Sequence, residues 1–125
     1  GKRPRSSMSP VMVFNKDGSL RLVVGSPGGS RIIDYVAQVV VGVLDWNLDA
    51  QTAINLPRIT NRNNYTSLEK GTELANLEAD FVNRGHTVRI LDLNSGLHAV
   101  EVKDGKLYGA ADPRREGIAL SDKSH

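Results

Sequence analysis

The stretch from Arg31 to Asp45 is mostly apolar and often β-branched, yet its polar residues do not alternate as a strand requires. Arg31, Asp34, Gln38, Gly42 and Asp45 are spaced 3, 4, 4 and 3 apart, which draws one narrow polar stripe down a helix. The rest of the circumference is apolar, so this helix is expected to be buried on most sides. Such a helix belongs in a layer, packed on a sheet and covered by something further.

Sheet is available on both sides of it. Met12–Phe14 and Leu20–Val24 are apolar runs joined by Asn15-Lys16-Asp17-Gly18-Ser19, and Asp-Gly supplies the positive φ of a tight hairpin turn. The same chemistry recurs near the end, where His98–Val102 and Leu107–Ala110 flank Lys103-Asp104-Gly105-Lys106. Asp49 is placed to cap a short helix that Pro57 stops. Thr72 is placed to cap another, with Leu74, Leu77 and Phe81 at helical spacing and Gly85 as its stop. Val88 and Ile90 read as a strand ending at Asn94-Ser95-Gly96. The predicted order is strand, strand, helix, helix, helix, strand, strand, strand. Blocks of this kind favour a layered α+β fold over a doubly wound parallel sheet. A length of 125 residues is that of one domain, predicted over 1–125.

Composition narrows the function classes. Net charge is only +2 and aromatic residues make up 5%, with no face of interleaved basic and aromatic side chains, so nucleic acid is not an expected partner. The chain has no cysteine, which excludes disulfides and thiolate metal sites. The longest apolar run, Val36–Leu44, is far too short to span a bilayer. His86, His98 and His125 lie far apart and show no metal-ligand spacing.

Three segments are candidates for chemistry. Gly25-Ser26-Pro27-Gly28-Gly29-Ser30 stands between a strand and the buried helix. Two glycines there allow close approach of a ligand, and N–H groups at a helix start favour negative charge. That architecture suits an oxyanion hole, and it equally suits a plain strand-to-helix turn capped by Ser30. A phosphate cradle is a weaker reading, because Arg31-Ile32 stands where a P-loop has its Lys and hydroxyl. Lys2-Arg3-Pro4-Arg5-Ser6-Ser7-Met8-Ser9-Pro10 sets hydroxyls among basic residues and suits a carboxylate, against the alternative of a solvated terminus. Asp112-Pro113-Arg114-Arg115-Glu116-Gly117 offers adjacent arginines for an anion, against the alternative of self-paired surface charges.

Taken together, Lys2-Arg3-Pro4-Arg5-Ser6-Ser7-Met8-Ser9-Pro10 and Gly25-Ser26-Pro27-Gly28-Gly29-Ser30 closely resemble the gamma-glutamyltranspeptidase family. Leu56-Pro57-Arg58, Ser95-Gly96 with His98, and Leu107-Tyr108-Gly109-Ala110-Ala111-Asp112-Pro113-Arg114 continue the likeness in the same order across essentially the whole chain. The resemblance implies the αββα sandwich of N-terminal-nucleophile hydrolases, here the C-terminal part of the small, catalytic subunit. It implies a precursor that cleaves itself, and a new N-terminal threonine that attacks the γ-amide of glutathione or a related γ-glutamyl compound. The acyl group then passes to water or to an amino acceptor, and the resemblance implies that no metal or organic cofactor is needed. By motif, Ser6 and Ser7 are expected to hold the α-carboxylate end of the γ-glutamyl group, and Gly28 and Gly29 to supply the oxyanion-hole N–H groups. No role for Arg114 or Arg115 follows.

The likeness also implies parts that lie elsewhere. The chain begins downstream of the family's catalytic threonine and reads as a piece of something longer. Thr52, Thr60, Thr66, Thr72 and Thr87 are internal and offer no α-amino base, so the isolated chain is expected to be inactive. The large subunit of the same precursor is the implied partner, and a periplasmic or secreted location goes with the family. Part of a sandwich leaves apolar surface exposed, so the chain alone is expected to self-associate, most simply as a homodimer. The competing reading is a non-enzymatic α+β domain that binds an anionic ligand at the Gly28-Gly29 helix end.

Overall fold

The computed structural model describes residues 1–2 and 7–121. In chain order its elements are β1 (Val11–Phe14), β2 (Leu20–Gly25), α1 (Ile32–Leu44), α2 (Ala50–Asn55), β3 (Ile59–Asn61), β4 (Thr66–Glu69), α3 (Glu78–Asn83), β5 (Val88–Leu91), β6 (His98–Lys103) and β7 (Lys106–Ala111). They fall into two compact units, Gly1–Asn55 with Ser95–His125, and Leu56–Asn94.

In the first unit both expected hairpins form, and both turn where Asp-Gly stands. Gly18 has φ of 84°, and Asp104 and Gly105 have φ of 52° and 72°, the pair of positive values that a two-residue turn matched to strand twist requires. A bulge between Val13 and Phe14 shifts the β1–β2 register by one residue. The four strands make an antiparallel sheet in the order β1-β2-β6-β7. Leu22, Val24, Ala99 and Ala110 are buried on one face, and α1 and α2 pack on this sheet. The other face carries the row Met12–Val23–Val100–Gly109. It is apolar and largely open, with Met12 65% exposed. Ala119 crosses it at Gly109, where a Cβ would stand 3.0 Å from the alanine methyl.

The helix from Arg31 forms, beginning as a 3-10 turn at Gly29–Arg31 before α1. Its polar stripe requires a correction. Gly42 is buried, and a Cβ there would lie 3.0 Å from Ala53 Cβ. The missing side chain is a contact with α2 and not a break toward water. The exposed stripe runs instead through Ile33, Ala37 and Val41, four residues apart and apolar. The α1 surface is thus apolar on its open side too.

Asp49 caps α2 as expected. Its Oδ1 accepts the Thr52 N–H at 2.9 Å and its Oδ2 accepts the Thr52 hydroxyl at 2.5 Å. These bonds, the hydroxyl's first, hold the carboxyl below its ordinary value of 3.8. Asp49→Ala is expected to cost about 1 kcal/mol of stability. Because the folded state holds the acid form less readily, the contribution is present above pH 3.8 and is lost as pH falls through the depressed value. Thermal unfolding of wild type and variant at neutral and acid pH checks both statements.

The second unit holds a three-stranded sheet, β3-β4-β5, in which β4 runs antiparallel to β3 and parallel to β5. Neither β3 nor β4 is expected from the sequence, because Ile-Thr-Asn and Thr-Ser-Leu-Glu are short and polar. Yet all four residues of β4 are buried, and the Glu69 end of the strand is matched to the Arg58 backbone. The Arg58 N–H donates to Glu69 Oε2 at 2.7 Å, and the Glu69 N–H returns to the Arg58 carbonyl at 3.0 Å. Thr72 does not cap the following helix. Its hydroxyl donates back to the Glu69 carbonyl at 2.7 Å, and the chain enters a 3-10 turn over Glu73–Leu77 before α3. Gly85, at φ 88°, follows the helix end as expected.

Candidate active site

Register decides which segments meet. Val11 lies opposite Val24, so the chain entering β1 and the chain leaving β2 emerge at the same end of the sheet, away from the Asp17-Gly18 turn. Gly25 lies opposite His98, and His98 opposite Ala111. The segment before β6 and the segment after β7 therefore reach that end as well. The segments that carry Ser7, Ser26–Ser30, Ser95-Gly96 and Asp112–Arg115 all enter or leave the sheet at that end. Read residue by residue, the sequence offers the first, second and last of these as separate candidates.

The two glycines sit where β2 turns into α1. Gly28 has φ 139° and ψ 10°, a conformation closed to residues with a Cβ, and a Cβ there would press on the Tyr35 ring at 2.8 Å. Gly29 has φ of 59° but open space around it. Among the described residues neither N–H has a hydrogen-bond acceptor. Their carbonyls, in contrast, are engaged. Arg31 N–H donates to the Gly28 oxygen at 3.3 Å, and Ile32 N–H donates to the Gly29 oxygen. Two adjacent donors without a protein acceptor therefore stand just before the start of a helix, where the macrodipole adds partial positive charge.

In the third candidate segment Asp112 and Arg114 pair with each other away from the surface, while Pro113, Arg115, Glu116 and Gly117 are exposed. Asp112 is 1% exposed. Its carboxylate accepts Ser95 Oγ at 2.5 Å, the Leu97 N–H at 3.2 Å, the Arg114 N–H at 3.0 Å and Arg114 Nη1 at 3.1 Å. Burial alone pushes this carboxyl up. The donors from Ser95, Arg114 and Leu97 outweigh it and hold the group below its ordinary value. Arg114 also donates to the Ile54 carbonyl at 3.1 Å, and Gln51 clasps the Ala111 backbone through both its N–H and its C=O. The end of β7 is thus tied to α2 and to the segment before β6. The Asp112–Arg114 pair is local, but the rest of this network is not visible in the sequence, because its partners lie 15 to 60 residues apart.

Ser7 is half-buried, and its carbonyl accepts Ser9 Oγ at 3.0 Å; Ser6 lies outside the described residues. His98 approaches the Gly96 carbonyl through Nδ1 at 3.2 Å, and His86 lies against Phe81 and Thr66.

A family model for gamma-glutamyltranspeptidase matches residues 1–121. The chain belongs to the gamma-glutamyltranspeptidase family. It is 44% identical over 119 residues to a glutathione hydrolase proenzyme of Escherichia coli, covering 90% of this chain and 20% of that relative. It is 34% identical to an acylase ACY 1 proenzyme of a Pseudomonas species, covering 97% and 22%. The chain spans about one fifth of the length of these curated relatives. Among solved structures, a mutant gamma-glutamyltranspeptidase of Helicobacter pylori superposes with a TM-score of 0.82 at 35% identity, covering 91% of this chain and 64% of that one. Gamma-glutamyltranspeptidase from Pseudomonas nitroreducens, complexed with L-DON, gives 0.82 at 30% identity, covering 98% and 66%. The fold is the α+β fold of the N-terminal-nucleophile hydrolases to which these gamma-glutamyltranspeptidases belong.

Proposed function

We propose that the protein containing this chain transfers or hydrolyses the γ-glutamyl group of glutathione and related compounds, and that this chain contributes the oxyanion hole and part of the glutamyl pocket. The observation that carries this reading is the pair of adjacent N–H groups at Gly28 and Gly29, unengaged among the described residues and set at a helix start. In this reading the nucleophile is an N-terminal threonine from upstream of Gly1, and its own α-amino group is the base. The threonine oxygen bonds to the γ-carbonyl carbon, and the carbonyl oxygen takes up negative charge facing the two glycine N–H groups. Collapse breaks the amide C–N bond, and the proton taken from the hydroxyl leaves on the departing amine. Water or an acceptor amine then resolves the ester by the same steps in reverse order. Ser6 and Ser7 hold the substrate's α-carboxylate, and the large subunit completes the pocket.

Full-length protein, expressed and allowed to mature, is expected to release aniline from a chromogenic γ-glutamyl anilide. Ser7→Ala is expected to raise KM by about ten-fold, the loss of a hydrogen bond to a charged group, with a smaller loss of kcat. Full-length protein that binds anions yet turns over no γ-glutamyl compound would instead support a non-enzymatic domain.

A further inference from the structure

We infer that Ser26 is a positioning residue that aims the Gly28 N–H, and that the Gly96 backbone holds Ser26 in place to do so. The inference rests on the oxyanion role proposed for Gly28. The peptide joining Pro27 to Gly28 is trans, as are all those described, so its C=O and N–H point in opposite directions in one plane. Whatever holds the Pro27 oxygen therefore sets the direction of the Gly28 N–H. Without such a hold the plane turns easily, because Gly28 imposes almost no steric preference on its φ.

The hold is visible. Ser26 Oγ donates to the Pro27 carbonyl at 2.6 Å. The same oxygen accepts the Gly96 N–H at 3.3 Å, which directs its proton toward Pro27. Gly96 comes close because it lacks a side chain: a Cβ there would lie 2.8 Å from Pro27 Cγ and 2.8 Å from Arg115 Cδ. The neighbouring Ser95 and Leu97 are in turn fixed by the buried Asp112 carboxylate. The next peptide is held in the same manner, since the Gly28 oxygen accepts the Arg31 N–H. Both N–H groups are thus aimed from behind, through carbonyls that face away from the substrate. The Ser26 hydroxyl does this without touching the reacting atoms.

The test uses matured full-length enzyme with a γ-glutamyl anilide, with rates referred to active sites titrated by a covalent γ-glutamyl inhibitor. Ser26→Ala is expected to lower kcat about ten-fold with KM unchanged, the signature of an interaction that matters only in the transition state. Ser26→Thr, which keeps the hydroxyl, is expected to stay within about two-fold of wild type. Gly96→Ala, which drives a methyl into Pro27, is expected to share the kcat-only loss. Should Ser26→Ala not mature, Ser26→Cys, with a weaker donor, carries the same expectation. Unchanged kcat in Ser26→Ala overturns the inference. So does a rise in KM alone, which would place the hydroxyl on the substrate, and so does an equal loss in Ser26→Thr. A wild-type enzyme without γ-glutamyl activity would overturn the proposed reaction itself, which separates the two failures.

Discussion

Gly28→Ala in the full-length enzyme is expected to lower kcat about 100- to 1000-fold while leaving KM within a few-fold, the loss associated with one oxyanion donor. Two independent constraints meet at this position. Alanine is excluded from φ 139°, and its methyl would stand 2.8 Å from Tyr35 Cε2. The backbone must rotate to relieve either, and rotation carries the N–H away from where charge develops in the proposed reaction. Gly29 offers a contrast, because it has open space and a φ of 59° that alanine reaches only at a cost and asparagine more readily. Gly29→Asn is therefore expected to retain far more activity than Gly28→Ala. Steady-state kinetics on the two variants check the order, and equal losses would show that backbone shape alone, without the Tyr35 ring, sets the tolerance.

Asp112→Ala is expected to destabilise the protein by about 3–5 kcal/mol, the cost of removing one member of a buried ion pair. Arg114 has a side chain only 14% exposed and shares the carboxylate at 3.1 Å. Ser95 and the Leu97 N–H lose their acceptor in the same step. The effect depends on acidity with a definite sign. The carboxyl titrates below its ordinary 3.8 when folded, so its contribution is complete above that value and fades as pH falls through the folded one. Thermal unfolding of wild type and variant is thus expected to differ widely at neutral pH and to converge in strong acid. A gap that persists unchanged at low pH would mean that packing, and not charge, accounts for the loss.

What the sequence made legible is what local chemistry dictates. Asp17-Gly18 and Asp104-Gly105 require tight turns wherever they stand between apolar runs, and both hairpins follow. Asp49 needs only Thr52 to cap its helix. The Gly28-Gly29 pair stood out because two glycines before a helix have few uses. The failures have a common cause in partners distant along the chain. β3 and β4 are held by pairing and by the Arg58–Glu69 exchange, which no run of apolar residues announces. Gly42 looked like a polar position until Ala53 arrived against it. Asp112 and Arg114 resembled a solvated pair because spacing carries no information about burial. Their burial comes from β7 ending beside Leu97, whose carbonyl accepts the Asp112 N–H at 2.8 Å. Ser26 was read only as part of a glycine turn, since the partner that fixes its hydroxyl is Gly96, 70 residues away.

The seam between β2 and β6, where Gly25 meets His98, also sets an order of events in time. A chain is synthesised from its N-terminus, so the β1–β2 hairpin is complete long before its neighbour in the sheet exists. During that interval the β2 edge is unpaired, and closure awaits a loop spanning α1, α2 and the whole of Leu56–Asn94. Contacts of such long range form slowly. The Gly96 N–H that steadies Ser26 arrives with the same late strand. A chain ended anywhere between residues 30 and 95 would therefore contain the Ser26–Gly29 turn in covalent structure but lack the partner that sets its angle.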